Sequence, residues 1–180
     1  MRIKQEESAV MIIDMQDRLF PHMAGKDALL NNIQRLIRGM QILDIPIILT
    51  EQYSKGLGKT ILPVKDLIND VEPVEKISFS CCDEGRVMNA LHQLNRKFII
   101  IAGIETHVCV LQTVLDLIGL GYTPVVVADC ISSRKETDKN IAIERIKSEG
   151  ALITSTESIL LELCRRAGNE KFKAISALIK

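Results

Sequence analysis

Gly103-Ile104-Glu105-Thr106-His107-Val108-Cys109-Val110 carries the densest chemistry in the chain. The apolar run 98–102 ahead of it reads as a buried strand that stops at Gly103, and the apolar segment 108–118 behind it has helical length and period. Strand, turn and helix place Cys109 in a first helical turn, where backbone N–H groups lack intrahelical partners. The helix dipole there favours a thiolate, and the free N–H groups are the raw material of an oxyanion hole. A single cysteine in such a place is equally an ordinary small core residue, so its company decides the matter.

Two other residues supply what a cysteine nucleophile needs. Asp14 closes the apolar run 9–13 in Asp14-Met15-Gln16, where a carboxylate is costly to desolvate unless it is paired or used. Lys76 ends a short run in Pro73-Val74-Glu75-Lys76-Ile77-Ser78-Phe79-Ser80. Asp14 is placed to take the thiol proton as general base and later return it to a leaving group. Lys76 balances the charge around carboxylate and thiolate. Alone, each has a plain structural role: a helix cap for Asp14, a solvated strand end for Lys76. Leu19, Phe20 and Tyr53 are candidates for an apolar pocket wall, with Gln16, Phe79 and His107 as further lining or supporting residues.

Other motifs exclude more than they add. His22, His92 and His107 are scattered without ligand spacing, so neither a metal nor any other cofactor is expected. Gly58-Lys59-Thr60 has Tyr53 where a phosphate loop requires glycine, and no G-x-G-x-x-G follows a strand. Cys81 and Cys82 are adjacent, and vicinal cysteines rarely bridge without strain. Cys130 and Cys164 sit beside apolar stretches and read as buried structural thiols. An odd total of 5 cysteines without CxxC pairs fits a reducing, cytoplasmic setting. Lys and Arg balance Asp and Glu at 23 each, which leaves no basic stripe for nucleic acid. With 2 Tyr and no Trp there is no base-stacking platform. No segment has the apolar length of a membrane span, and Met1-Arg2-Ile3-Lys4-Gln5-Glu6-Glu7 is not read as a signal peptide.

These residues need a scaffold. At 180 residues and 47% hydrophobic, the chain is expected to form a single domain over 1–180 with a real core. Short apolar strands at 9–13, 46–50, 74–77, 97–102, 124–128 and 151–154 alternate with helical patterns at 27–43, 85–94, 106–118 and 138–148. A further helix, capped at 155–158, runs to about residue 166, and Phe172, Ile175, Leu178 and Ile179 mark a last amphipathic one. Asp27 is the expected N-cap of the first helix, and Gly168 and Asn169 are expected to interrupt the last two. The polar segment 51–63 reads as a surface loop, followed by a helical turn at 64–68. Such alternation implies an α/β fold whose parallel sheet is covered on both faces. Ligands then bind beyond the carboxyl ends of the strands, where Asp14, Lys76, the 105–109 turn and Asp129 all fall.

Asp14-Met15-Gln16, Glu75-Lys76 and the 103–110 motif, in that order and each behind a strand, resemble the isochorismatase-like cysteine hydrolase superfamily over about 9–163. Glu51-Gln52-Tyr53-Ser54-Lys55-Gly56-Leu57-Gly58 further resembles the subgroup called isochorismatase domain-containing proteins. The resemblance implies a doubly wound three-layer sandwich on a six-stranded parallel sheet ordered 3-2-1-4-5-6. It implies an Asp14–Lys76–Cys109 triad, a cis peptide between Ile104 and Glu105, and an oxyanion hole from the N–H groups of Glu105 and Cys109. A homo-oligomer, dimer or tetramer, acting on a small-molecule substrate is implied as well. In that strand order strand three lies two places from strand one, roughly 10 Å, so Lys76 has to reach inward. Nicotinamidase-type members bind a metal through an Asp-x-His pair and a further His where this chain has Thr50-Glu51-Gln52-Tyr53, so that activity is not expected. An intact Cys109 favours attack on a small amide-type C–N bond through a thioester. The alternatives are hydrolysis of the isochorismate vinyl ether, which offers no acyl group to a thiol, and a non-catalytic scaffold or metabolite-binding role.

Overall fold

Six parallel strands form one sheet in the order β3-β2-β1-β4-β5-β6. The structure is a computed structural model and describes residues 1–168 and 170–180. The strands are β1 (Ser8–Ile13), β2 (Ile47–Gln52), β3 (Val74–Lys76), β4 (Phe98–Ile104), β5 (Thr123–Ser132) and β6 (Leu152–Thr154). The helices are α1 (Lys26–Ile42), the single turns α2 (Ser54–Leu57) and α3 (Leu62–Lys65), α4 (Gly85–Leu94), α5 (Leu111–Gly119), α6 (Glu136–Ser148), α7 (Thr156–Cys164) and α8 (Phe172–Ile179).

The apolar runs are continuous because both faces of the sheet are covered, and successive side chains divide between them. On β1, Val10 and Ile12 join a cluster with Ile33, Leu36 and Ile37 of α1, Ile159 and Leu160 of α7, and Ile175 of α8. Ala9, Met11 and Ile13 join the opposite cluster with Val87 of α4, Val114 and Leu117 of α5, and Ile146 of α6. Each such fully buried aliphatic side chain contributes roughly 1.5–3 kcal/mol. Helices α1, α7 and α8 thus cover one face and α4, α5 and α6 the other, the three-layer sandwich expected from the motifs. The strand order reverses between β1 and β4. Asp14 follows the first and the Glu105–Cys109 turn follows the second.

Several boundaries differ from the sequence reading. Gly25, with φ +61°, is the N-cap of α1 and Asp27 lies in its first turn; a carboxylate there still meets the positive end of the helix dipole. The presumed loop at 51–63 begins inside β2, holds the turn α2, and bridges Gln16 to Thr60. Strand β5 runs to Ser132 rather than ending near residue 128, because its register against β4 shifts between Ile101 and Gly103. That irregularity carries Asp129 and Cys130 through the strand and brings Ser132 beside Ile104. Of the break expected between the last two helices, Asn169 lies outside the described residues.

At Gly103 the β4 backbone lies hard against β1. The glycine φ is +123°, and a Cβ there would lie 2.1 Å from the Ile13 carbonyl oxygen and 2.6 Å from the Ile13 nitrogen. Both obstacles are backbone, so nothing flexible can yield. Gly103→Ala is expected to cost at least about 3 kcal/mol from overpacking and strained φ together. Urea denaturation with an unchanged midpoint would show that the two strands are less tightly joined than this.

Candidate active site

Asp14 leaves β1 in a left-handed conformation, φ 52°, which aspartate tolerates better than most residues. Its side chain is 0% exposed. Thr50, on the adjacent β2, donates its hydroxyl to Oδ1 at 2.8 Å. Lys76 Nζ stands 2.7 Å from Oδ2, with both side chains fully buried. The ammonium is held by three further acceptors: Gln52 Oε1 at 2.6 Å, the Phe79 carbonyl at 3.0 Å and the Ser78 carbonyl at 3.2 Å. Oδ2 is held by the ion pair with Lys76 and has no further hydrogen-bond partner among the described residues. It is an open acceptor beside a fixed positive charge.

The register answers how β3 reaches across. Gln52 pairs with Lys76 and Thr50 with Val74. Thr50 and Gln52 are two apart on β2, so their side chains share a face. One grips Asp14 and the other Lys76, and the extended lysine crosses the intervening strand between them. Burial of Lys76 opposes its charge, but the Asp14 carboxylate beside it outweighs that and holds the ammonium above its ordinary value. Two buried charges cost several kcal/mol to desolvate, an expense offset only by geometry this complete.

Cys109, 5% exposed, borders the same carboxylate. The segment Thr106–Val110 is not the first turn of an α-helix but a π-helical turn, with Val110 N–H donating to the Glu105 carbonyl at 3.2 Å. Burial first, and the charge of Asp14 second, push the Cys109 thiol well above its ordinary range. The thiolate expected from the helix dipole is therefore corrected: the resting sulfur keeps its proton, beside a carboxylate with an unfilled oxygen. The peptide between Ile104 and Glu105 is cis. The Glu105 side chain is tied outward, its Oε2 accepting from Arg134 N–H at 3.0 Å and Arg134 Nε at 3.1 Å.

Burial raises three other thiols, Cys81 to about 11, Cys82 to about 12 and Cys130 further still. An unfolded chain releases such protons near pH 8.5, whereas the native state retains them. Above about pH 8.5 the native state binds more protons, so stability falls as pH rises. Lys76, also raised, acts with the same sign at still higher pH. Urea midpoints are expected to drop between about pH 8 and 10.5, by up to about 1.4 kcal/mol per pH unit for each buried thiol. A constant midpoint over that interval would contradict buried, neutral sulfurs.

With this geometry in hand, likeness to known proteins is informative. Residues 8–158 match the isochorismatase domain. The chain belongs to the isochorismatase family. Isochorismatase family protein 1B of Dictyostelium discoideum is 40% identical, over 99% of this chain and 89% of its own length. Isochorismatase domain-containing protein 2A of Mus musculus is 34% identical, over 99% and 85%. Among solved structures, MAR1 ribonuclease of Caenorhabditis elegans superimposes with TM-score 0.93 at 36% identity, over 99% of this chain and 92% of that one. YcaC of Pseudomonas aeruginosa, solved with hexane-2,5-diol and covalent acrylamide, gives 0.93 at 25% identity, over 98% and 91%. The YcaC gene product of Escherichia coli, an octameric hydrolase of unknown specificity, gives 0.94 at 25%, over 99% and 89%. The match places the chain with the isochorismatase domain-containing subgroup on a hydrolase fold.

Within this isochorismatase fold the expected pocket residues separate. Gln16 is fully buried and spends its amide on backbone: Nε2 donates to the Gln52 and Gly58 carbonyls at 2.9 and 2.8 Å, and Oε1 accepts from Gln52 N–H at 2.8 Å. It fastens the end of β2 rather than lining a pocket. Leu19 and Phe20 pack on the α1 side of the sheet, in the cluster that does not contain Cys109. Tyr53 is exposed and lines a groove of about 450 Å³ with Lys55, Glu75, Ile77, Glu84 and Arg86. Phe79 is exposed, and its carbonyl rather than its ring serves the site. His107 sets Nδ1 2.9 Å from Ser133 Oγ and lines a separate groove of about 240 Å³ with Leu111 and Ile141.

Glu51, in the segment where nicotinamidase-type members carry metal ligands, has both oxygens engaged. Oε1 accepts from the Thr60 N–H and hydroxyl at 2.8 Å each, and Oε2 from Lys59 Nζ at 3.2 Å. Among the described residues no group of three His, Cys, Asp or Glu side chains is arranged to hold a metal ion. Thr50 and Gln52 are the residues the motif reading passed over.

Proposed function

We propose that the chain is a cysteine hydrolase that cleaves a small amide-type C–N bond. Cys109 Sγ attacks the carbonyl carbon while Asp14 Oδ2 takes the thiol proton. Lys76 stays charged throughout, holding the carboxylate in place and keeping its basicity suited to returning the proton. The N–H groups of Glu105 and Cys109 receive the developing oxyanion, and each such donor is worth roughly 3–4 kcal/mol in the transition state. The protonated Asp14 then releases the amine, and water, deprotonated by the same carboxylate, resolves the thioester. The observation that carries this reading is the open Oδ2 acceptor, 2.7 Å from a buried ammonium and bordering a neutral thiol. The acrylamide bonded in the Pseudomonas aeruginosa relative supports it, since acrylamide joins an amide to a thiol-reactive double bond.

The worm relative's name raises RNA as a substrate. The zero net charge of this chain, at 23 against 23, favours a small molecule instead. Incubation with a panel of aliphatic and aromatic amides, isochorismate and single-stranded RNA separates the readings. Release of ammonia or amine is expected; pyruvate-forming cleavage of isochorismate alone, RNA cleavage alone, or binding without turnover each favours a rival. Self-association as a dimer or tetramer belongs to the same proposal, with an octameric relative as its support. A cytoplasmic setting is proposed on the strength of the free thiols of Cys81, Cys82, Cys109 and Cys130.

A further inference from the structure

We propose that Cys81 is a resolving thiol for Cys109, so that a hydroperoxide switches the site off through a reversible Cys81–Cys109 disulfide. The proposal rests on Cys109 being the reactive sulfur of the hydrolase. Both thiols are free and belong to one core cluster. Cys81 Sγ donates to Thr50 Oγ1 at 3.8 Å, and Thr50 Oγ1 donates to Asp14 Oδ1 at 2.8 Å. Its proton thus points along a two-step relay to the carboxylate that Cys109 also borders. The backbone agrees: Cys81 N–H donates to Thr113 Oγ1 at 2.9 Å, one helical turn beyond Cys109. Cys82 is turned elsewhere, with Sγ 3.9 Å from the Thr113 carbonyl. The amide mechanism makes no use of Cys81, which is 0% exposed and sealed beside the site.

The steps balance. Cys109 Sγ attacks one peroxide oxygen, the O–O bond breaks, and the departing hydroxide takes the thiol proton, relayed by Asp14, as water. Cys81 Sγ then attacks the sulfenic sulfur, the S–O bond breaks, and the second hydroxide leaves as water with the Cys81 proton. The peroxide is reduced by two electrons and the thiol pair is oxidised by two. Closing the bond displaces the 77–80 segment ahead of Cys81, where Ile77 and Phe79 are 70% and 53% exposed. The same segment supplies the Ser78 and Phe79 carbonyls that hold Lys76, so the oxidised site also loses its grip on the ammonium.

The test treats the intact protein with equimolar hydrogen peroxide, alkylates it under denaturing conditions, and maps peptides without reduction. A linked Cys81–Cys109 peptide that dithiothreitol releases is expected, retained in Cys82→Ala. In Cys81→Ser an excess of peroxide should carry Cys109 past the sulfenic acid to sulfinic acid. Recovery of wild-type Cys109 as sulfinic acid with Cys81 still alkylatable, a Cys81–Cys82 link, or an unoxidised Cys109 overturns the proposal. Parallel labelling with acrylamide keeps the two readings apart. An adduct on Cys109 without the disulfide removes only the switch, whereas the disulfide without an adduct removes only the hydrolase.

Discussion

Cys109→Ala is expected to lower turnover of any amide the protein cleaves by about 10⁴-fold or more, the scale seen when a member of a nucleophilic triad is removed. Folding should be nearly untouched, within about 1 kcal/mol by urea denaturation, because a small buried thiol gives way to a small methyl group. Cys109→Ser is the sharper variant. It keeps the shape but offers a hydroxyl, which Asp14 is far less able to deprotonate. Substantial turnover in either variant would mean that the sulfur is a core residue and that the reaction, if any, runs on other groups.

Lys76→Met carries the largest expected stability change. It strands the Asp14 carboxylate at 0% exposure and leaves Gln52 Oε1 without its donor. Breaking a buried pair by removing one partner costs about 3–5 kcal/mol, a large share of the roughly 5–15 kcal/mol that holds a domain folded. Asp14→Asn in the same chain should restore much of that loss, since replacing both charges by neutral groups is often nearly harmless. The comparison is a double-mutant cycle read by urea denaturation. Single losses that merely add in the double variant would show that the 2.7 Å contact contributes no coupling.

The sequence made parts of this legible for identifiable reasons. Runs such as 98–102 are continuous because β4 is buried on both sides, and α4 follows its pattern to the residue, Gly85–Leu94. The strand order came from the motif resemblance, as periodicity does not encode neighbours. Where local signals were weak, the reading erred. Polar Asp129 and Cys130 interrupt the apolar run of β5, yet the strand continues through them to Ser132. Nothing in Thr106–Val110 marks a π-helical turn, and the expected thiolate depended on an α-helical start. Leu19 and Phe20 lie on the α1 side because the chain turns after Asp14, a tertiary choice. Thr50 and Gln52 were findable: two polar residues spaced by two at the end of a buried strand point to one face, with Glu51 on the other.

The proposed proton transfer among Asp14, Lys76 and Cys109 is tested most directly by acrylamide labelling at about neutral pH, with the adduct located by peptide mass mapping. Wild-type protein should carry the adduct on Cys109 before Cys81 or Cys82, and Asp14→Asn, which retains the shape and removes the base, should lose it. Labelling of Cys109 at the same rate in Asp14→Asn, or adducts forming first on Cys81 or Cys82, would contradict the account.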